Sequence, residues 1–176
     1  MNSHLHAKLH PIGLLDIPAV YDLVQAGAMR GAYSDNYLNE QGLVSLLWQL
    51  LCGWAANTKC PIPMETGAGS MQVLKDNENL YGFAWLECAS RQHNGIVTLK
   101  MFSVRQDMNG MGIGKTMLEL IEARLPKCWV LRAECTPYAK GMKALLRHSG
   151  FKRERQSIVP MGCHGLDVYI KDTSGV

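Results

Sequence analysis

The chain has 176 residues, 47% of them apolar, and carries 18 Lys and Arg against 15 Asp and Glu for a formal charge of +3. That composition suits a single domain over 1–176, offers no long uncharged apolar stretch for a membrane span, and is too weakly basic to predict a nucleic-acid face. Cys52, Cys60, Cys88, Cys128, Cys135 and Cys163 stand singly, without the C-x-x-C spacing of a zinc or redox site, and the N-terminus lacks the layout of a signal peptide. A reduced cytoplasmic setting with no metal is the simplest expectation.

Weak alternation marks Ser3 to Leu9 as a first strand. Asp16 reads as an N-cap, and Val20, Leu23 and Val24 behind it sit at helical spacing. A second helix is expected from about Glu40, with Leu43, Leu46, Leu47, Leu50, Leu51 and Trp54 as a broad apolar face. Cys60 to Ser70, rich in Pro and Gly, reads as a loop. The period then changes. Met71 to Lys75, Leu80 to Ser90 and Ile96 to Val104 read as three strands on short polar turns, the second turn at Arg91 to Gly95, and form an antiparallel meander. A glycine-rich loop leads into a helix with Ile113, Met117, Ile121 and Leu125 on one side, ended by Pro126. Trp129 to Cys135 is the next strand. Thr136-Pro137 resembles an N-cap with proline in the first turn, opening a helix that runs to about His148. Strands near Lys152 to Val159 and Leu166 to Lys171 close the chain. The order β-α-α-β-β-β-loop-α-β-α-β-β predicts an α+β sandwich around one mixed sheet.

The informative segment runs from Val104 to Thr116, between a strand and a helix. Three alternate glycines, Gly110, Gly112 and Gly114, let the backbone approach a ligand and turn several N–H groups inward. The helix behind them adds unpaired N–H groups and a positive dipole end, so the segment reads as a pyrophosphate cradle. The P-loop pattern G-x-x-x-x-G-K-[ST] fails because Asn109 stands at its first glycine, and the meander does not supply the alternating strands and helices it needs. The dinucleotide pattern G-x-G-x-x-G fails because Lys115 stands at its last glycine. A glycine-rich turn with no ligand is the remaining plain alternative.

With Asn109-Gly110-Met111-Gly112-Ile113-Gly114, Lys115 and Leu118 behind it, and a strand, a helix and the Gly150-Phe151 pair downstream, the chain resembles the GNAT superfamily, the Gcn5-related N-acetyltransferases. The family signature, Arg/Gln-x-x-Gly-x-Gly/Ala, carries Asn109 at its first position here, which removes a side chain but no backbone donor. The resemblance implies a mixed, mostly antiparallel sheet of about seven strands, helices on both faces, and fourth and fifth strands that splay apart. It implies acetyl-CoA as cofactor. Its pantetheine arm would pair with the backbone of Phe102, Ser103 and Val104, and its pyrophosphate would lie on Asn109, Gly110, Met111, Gly112, Ile113, Gly114 and Lys115.

Acetyl transfer from a thioester to an amine needs a neutral amine, donors for the carbonyl oxygen and a proton for the leaving thiolate. Glu134, near the end of the fifth strand, is the candidate base. The branch of the family that acetylates protein N-termini has a catalytic glutamate at the matching point. An ion pair with Arg132 is its competing role, and Glu87 is the second carboxylate considered. The family's usual acid, a tyrosine, falls at Leu146, and its usual Asn at Ala139. Tyr138 is therefore the candidate acid, against a plain packing role at a helix start, with His148 behind it. Cys135 is expected to be a buried cysteine rather than a nucleophile, and His4, His6 and His10 to be surface residues. An acceptor pocket is expected from Tyr33, Tyr37, Trp48, Trp54 and the loop 60–70, with Arg30 and Asp35 able to fix a charged acceptor. The resemblance implies a primary amine of a small molecule or peptide as acceptor. An acyl-CoA sensor without catalysis is the alternative, and homodimerisation is left open.

Overall fold

A computed structural model of the chain describes residues 6–57, 70–88, 95–154 and 165–173. Seven strands form one sheet: β1 (Lys8–Pro11), β2 (Ser70–Lys75), β3 (Leu80–Cys88), β4 (Ile96–Val104), β5 (Val130–Cys135), β6 (Lys152–Arg153) and β7 (Asp167–Asp172). Their spatial order is β1-β2-β3-β4-β5-β7-β6. Every neighbouring pair is antiparallel except β4 and β5, which run parallel. The sheet is thus mixed and mostly antiparallel.

Helices α1 (Ile17–Met29) and α2 (Glu40–Asn57) cover one face, and α3 (Ile113–Glu122) and α4 (Lys140–His148) the other. Alternation along each strand feeds both cores. Phe83 and Met101 join Val20, Val24, Leu46 and Leu50 under α1 and α2. Ala84, Leu99, Leu131 and Ala133 join Met117, Leu118, Ile121 and Leu146 under α3 and α4.

The structure shifts several expected boundaries. The first strand is Lys8–Pro11 rather than Ser3 to Leu9, because pairing with β2, Lys8 opposite Lys75 to Pro11 opposite Gln72, fixes its place. Asp16 occupies the N-cap position of α1 but does not cap it. Its carboxylate accepts from Gly13 N at 2.7 Å and from Lys75 Nζ at 2.7 and 2.8 Å. The apolar face of α2 is narrower than expected, since Leu46 and Leu50 are buried while Leu47 points outward with Val44 and Trp48. Helix α4 starts at Lys140, because Thr136 turns its hydroxyl to the Gly31 carbonyl (2.8 Å) instead of capping. The expected loop Cys60 to Ser70 lies outside the described residues except for Ser70, which opens β2. The turn Arg91 to Gly95 is described only at Gly95, and the strand Lys152 to Val159 only as far as Glu154.

Candidate acyl-transfer site

The site begins with a mismatch of register. Trp85 pairs with Met101 and Leu86 with Leu99, so Lys100 is the extra residue of a bulge in β4. On its other side β4 pairs with β5 only from Ile96–Val130 to Leu99–Ala133. Beyond that point the two strands part in a V, although β4 runs on to Val104 and β5 to Cys135.

The bulge and the parting decide which backbone groups face the gap. Arg105 N donates to the Tyr81 carbonyl at 2.8 Å, and the Ser103 carbonyl lies only 2.5 Å from where a Cβ on Gly82 would stand. Ser103 and Arg105 therefore point at β3, and by alternation Phe102 and Val104 present their N–H and C=O groups to the gap. Of the three expected backbone partners, Ser103 turns its main chain to the β3–β4 ladder and Phe102 and Val104 turn theirs to the gap.

The open end of the V is closed by the glycine loop. A short 3-10 turn, Gln106–Met108, leads to Asn109, and Gly112 stands at the N-cap of α3 with no side chain capping it. The first intrahelical bond is Thr116 N to the Gly112 carbonyl. The N–H groups of Ile113, Gly114 and Lys115 precede that ladder and have no place in it. Asn109, Gly110, Gly112, Ile113, Gly114 and Lys115 line a cleft of about 1080 Å³ together with Phe102, Val104 and Tyr138 to Met142, and Glu134 is not among its lining residues. Met111 belongs to the same loop, with its side chain out in solvent.

Glu134 sits on the face of β5 that looks toward α1 and α2, together with Arg132. Its carboxylate lies 3.3 Å from Arg132 Nη2 and 4.0 Å from Lys100 Nζ, and Lys100 in turn lies 3.1 Å from Glu87. Two carboxylates and two cations thus alternate at the vertex of the V. Register places Lys100 there, and nothing in the residue order signals it. Tyr138 is about 60% exposed and lines the cleft, its Cβ only 3.2 Å from where a Cβ on Gly31 would stand. Leu146 is fully buried in the core and Ala139 is buried beside the cleft, so α4 places apolar groups where the family places its Tyr and Asn. His148 reaches the far end of the cleft and rests its Nδ1 against the Ala144 carbonyl (2.7 Å). Cys135 faces the core, and burial pushes its thiol up to about 12, with Asp167 adding to the rise and Lys143 opposing it.

The expected acceptor residues divide. Trp48 is exposed on α2, whereas Tyr37 and Trp54 are partly buried against the core. Arg30 donates to Gln106 Oε1 at 3.0 Å, tying the end of α1 to the glycine loop. Tyr33 also reaches β4, donating to the Phe102 carbonyl at 2.6 Å. Among the described residues no group of His, Cys, Asp and Glu is arranged to hold a metal ion, and no helix is long and apolar enough to cross a membrane.

Solved structures with this architecture are numerous. A GNAT-family protein from Desulfovibrio desulfuricans superposes with a TM-score of 0.71 at 11% identity, covering 95% of this chain and 99% of its own. The chain has the GNAT fold. The acetyltransferase from Salmonella typhimurium that modifies the N-terminal serine of ribosomal protein L7/L12 superposes on it with a TM-score of 0.69 at 11% identity, over 94% of each chain. The PaiA N-acetyltransferase of Thermoplasma acidophilum, in complex with coenzyme A, follows at 0.64 and 13% identity, over 94% and 98%. No protein-family model matches the sequence, and no curated protein sequence does. The likeness is therefore one of fold.

Proposed function

We propose that the chain is an acetyl-CoA-dependent N-acetyltransferase that acts on a primary amine of a small molecule or peptide. The observation that carries this reading is the parting of β4 and β5 directly in front of the unpaired N–H groups at the start of α3. A strand edge that offers Phe102 and Val104 can take an amide-bearing arm as an added strand. The loop 109–115 meets the pyrophosphate with backbone donors and a helix dipole. A bound acetyl-CoA supplies the activated acyl carbon and a thiolate leaving group. The N-acetyltransferases among the structural neighbours, one of which modifies a protein N-terminus, support the same chemistry.

Glu134 would remove the proton from the acceptor ammonium, leaving a neutral nitrogen able to attack the acyl carbon that acetyl-CoA would supply. Its two cation partners, at 3.3 and 4.0 Å, are both farther than the usual 2.7–2.9 Å of a charge-assisted hydrogen bond, and Arg132 Nε is buried with no partner. The carboxylate is oriented but not saturated, and retains lone pairs for an ammonium or a bridging water. Tyr138, which lines the cleft, would give a proton to the leaving thiolate and take back the second proton of the acetylated nitrogen. The test is thiol release with a panel of amines. Glu134→Gln should lower kcat about 100-fold or more with little change in acetyl-CoA affinity.

The sensor reading keeps one specific support: the fully buried Leu146 leaves α4 without an acid in the family's usual place. It predicts tight acetyl-CoA binding, no thiol release with any amine, and indifference to Glu134→Gln.

A further inference from the structure

Tyr33 belongs by sequence to the turn between α1 and α2, but its side chain acts on β4. The ring lies in a hollow made by Gly27, where an added Cβ would stand 2.4 Å from Tyr33 Cε2 and 2.6 Å from Cδ2. Any other residue at that place in α1 pushes the ring away. From this seat the phenol donates to the Phe102 carbonyl at 2.6 Å and also meets the Ser103 hydroxyl. Burial raises the phenol well above the ordinary tyrosine range, so it remains a neutral donor across the physiological range. The neighbouring bonds converge on the same turn: Arg30 reaches Gln106 on one arm of the V, and Thr136 reaches the Gly31 carbonyl from the other.

The Phe102 carbonyl is one of the edge groups that β4 leaves free once β5 has parted from it. An unpaired carbonyl in a partly buried site is costly, so the free protein gains by keeping a donor there. An amide-bearing ligand that adds to this edge needs the same acceptor. We propose that Tyr33 is a place-holder on the β4 edge, its hydroxyl satisfying the Phe102 carbonyl until an amide N–H of the coenzyme arm replaces it. The proposal rests on the acetyl-CoA reading above and adds to it a cost: cofactor binding exchanges one hydrogen bond for another at Phe102 rather than gaining a new one.

Isothermal titration with coenzyme A and with ADP tests this, because ADP carries the pyrophosphate without the amide arm. Tyr33→Phe removes the competing donor and leaves the ring in its seat. Coenzyme A should then bind about three- to tenfold more tightly, with ADP affinity unchanged. Gly27→Ala, which shifts the ring instead of removing the hydroxyl, should move coenzyme A affinity in the same direction. In protein with ring-labelled tyrosine, the NMR signal that is missing from the Tyr33→Phe spectrum should shift with coenzyme A and stay still with ADP. Coenzyme A binding that leaves that signal in place, with an affinity unchanged or weakened by Tyr33→Phe, overturns the place-holder and leaves the cofactor reading intact. Failure of the unaltered protein to bind coenzyme A removes the cofactor reading, and this proposal with it.

Discussion

The three glycines of the loop are required for different reasons. Gly110 and Gly112 each hold φ at 80°, and no atom lies within 4 Å of where a Cβ would go. Their requirement is conformational: a left-handed backbone costs an ordinary residue about 1–2 kcal/mol. Gly114 is helical, and its added Cβ would stand 3.0 Å from Leu145 Cδ2, so a side chain there is met by α4 and Leu145 must give way by a few tenths of an ångström. Gly112→Ala should therefore lower stability by about 1–2 kcal/mol and reduce coenzyme A affinity at least tenfold, since relaxing φ re-aims the N–H groups that open α3. Denaturant melts and titration calorimetry read the two effects separately. This part of the site is legible in the residue order because a repeated glycine records a backbone demand directly. Lys100 is not legible. Its place at the vertex depends on one unpaired residue between Leu99 and Met101, and register is a property of two strands rather than one.

At the scale of elements, the far wall of the cleft is held by Asp167 at the start of β7. It takes Lys143 of α4 at 3.0 Å and also binds Arg153 of β6. The Lys143 hydrogen bond is the main cause that holds its carboxyl below the ordinary carboxylate range, with Arg153 adding to it. A depressed carboxylate stabilises the fold above its unfolded pKa, and the contribution disappears as pH falls through the lower, folded value. Asp167→Asn should cost about 1 kcal/mol at pH 7, roughly 2–4 °C in Tm for a chain of this size. The difference from the unaltered protein should close in melts taken well below pH 4. Leu146, fully buried on the same helix, anchors it from beneath, and Leu146→Ala should cost about 2–5 kcal/mol. Sequence periodicity finds α4 but sets its N-cap at Thr136, three residues before the observed Ala139. A Thr-Pro pair is a sound local start signal, and here a long-range bond to Gly31 outcompetes it. The strands of the meander are easier to read, since each is a run of β-branched, aromatic and aliphatic residues long enough to stand out, and the break in the alternation of Ile96–Val104 falls at the Lys100 bulge. The first strand drew its limits from β2, some 60 residues away, and its own four residues carry too little pattern to show that.

For the molecule as a whole, the consequence of the V is that one sheet carries two arms whose strands, among the described residues, pair with each other over Ile96–Leu99 and Val130–Ala133 and no further. Past the vertex, the turn after α1 spans them, through Tyr33 to Phe102, Arg30 to Gln106 and Thr136 to Gly31. A ligand seated in the cleft replaces the missing strand contact and is held by groups from β4, the glycine loop and the α4 wall at once. Such a ligand binds the folded chain and has no counterpart site in the unfolded one, because the Phe102 edge and the α3 N–H groups are made by the fold. Stabilisation then follows mass action. At 100 times its Kd, coenzyme A should add about 2.7 kcal/mol, which for a chain of this length raises Tm by roughly 5–10 °C. ADP, held by the loop alone, should give a smaller rise at the same concentration, because its Kd is larger. ATP and NAD, which carry a pyrophosphate without the pantetheine arm and meet neither the P-loop nor the dinucleotide pattern at Asn109 and Lys115, should raise Tm no more than ADP does. A rise with ATP or NAD that exceeds the one with coenzyme A would mean that the loop works without the strand edge. The parted strands would then be no part of the binding site.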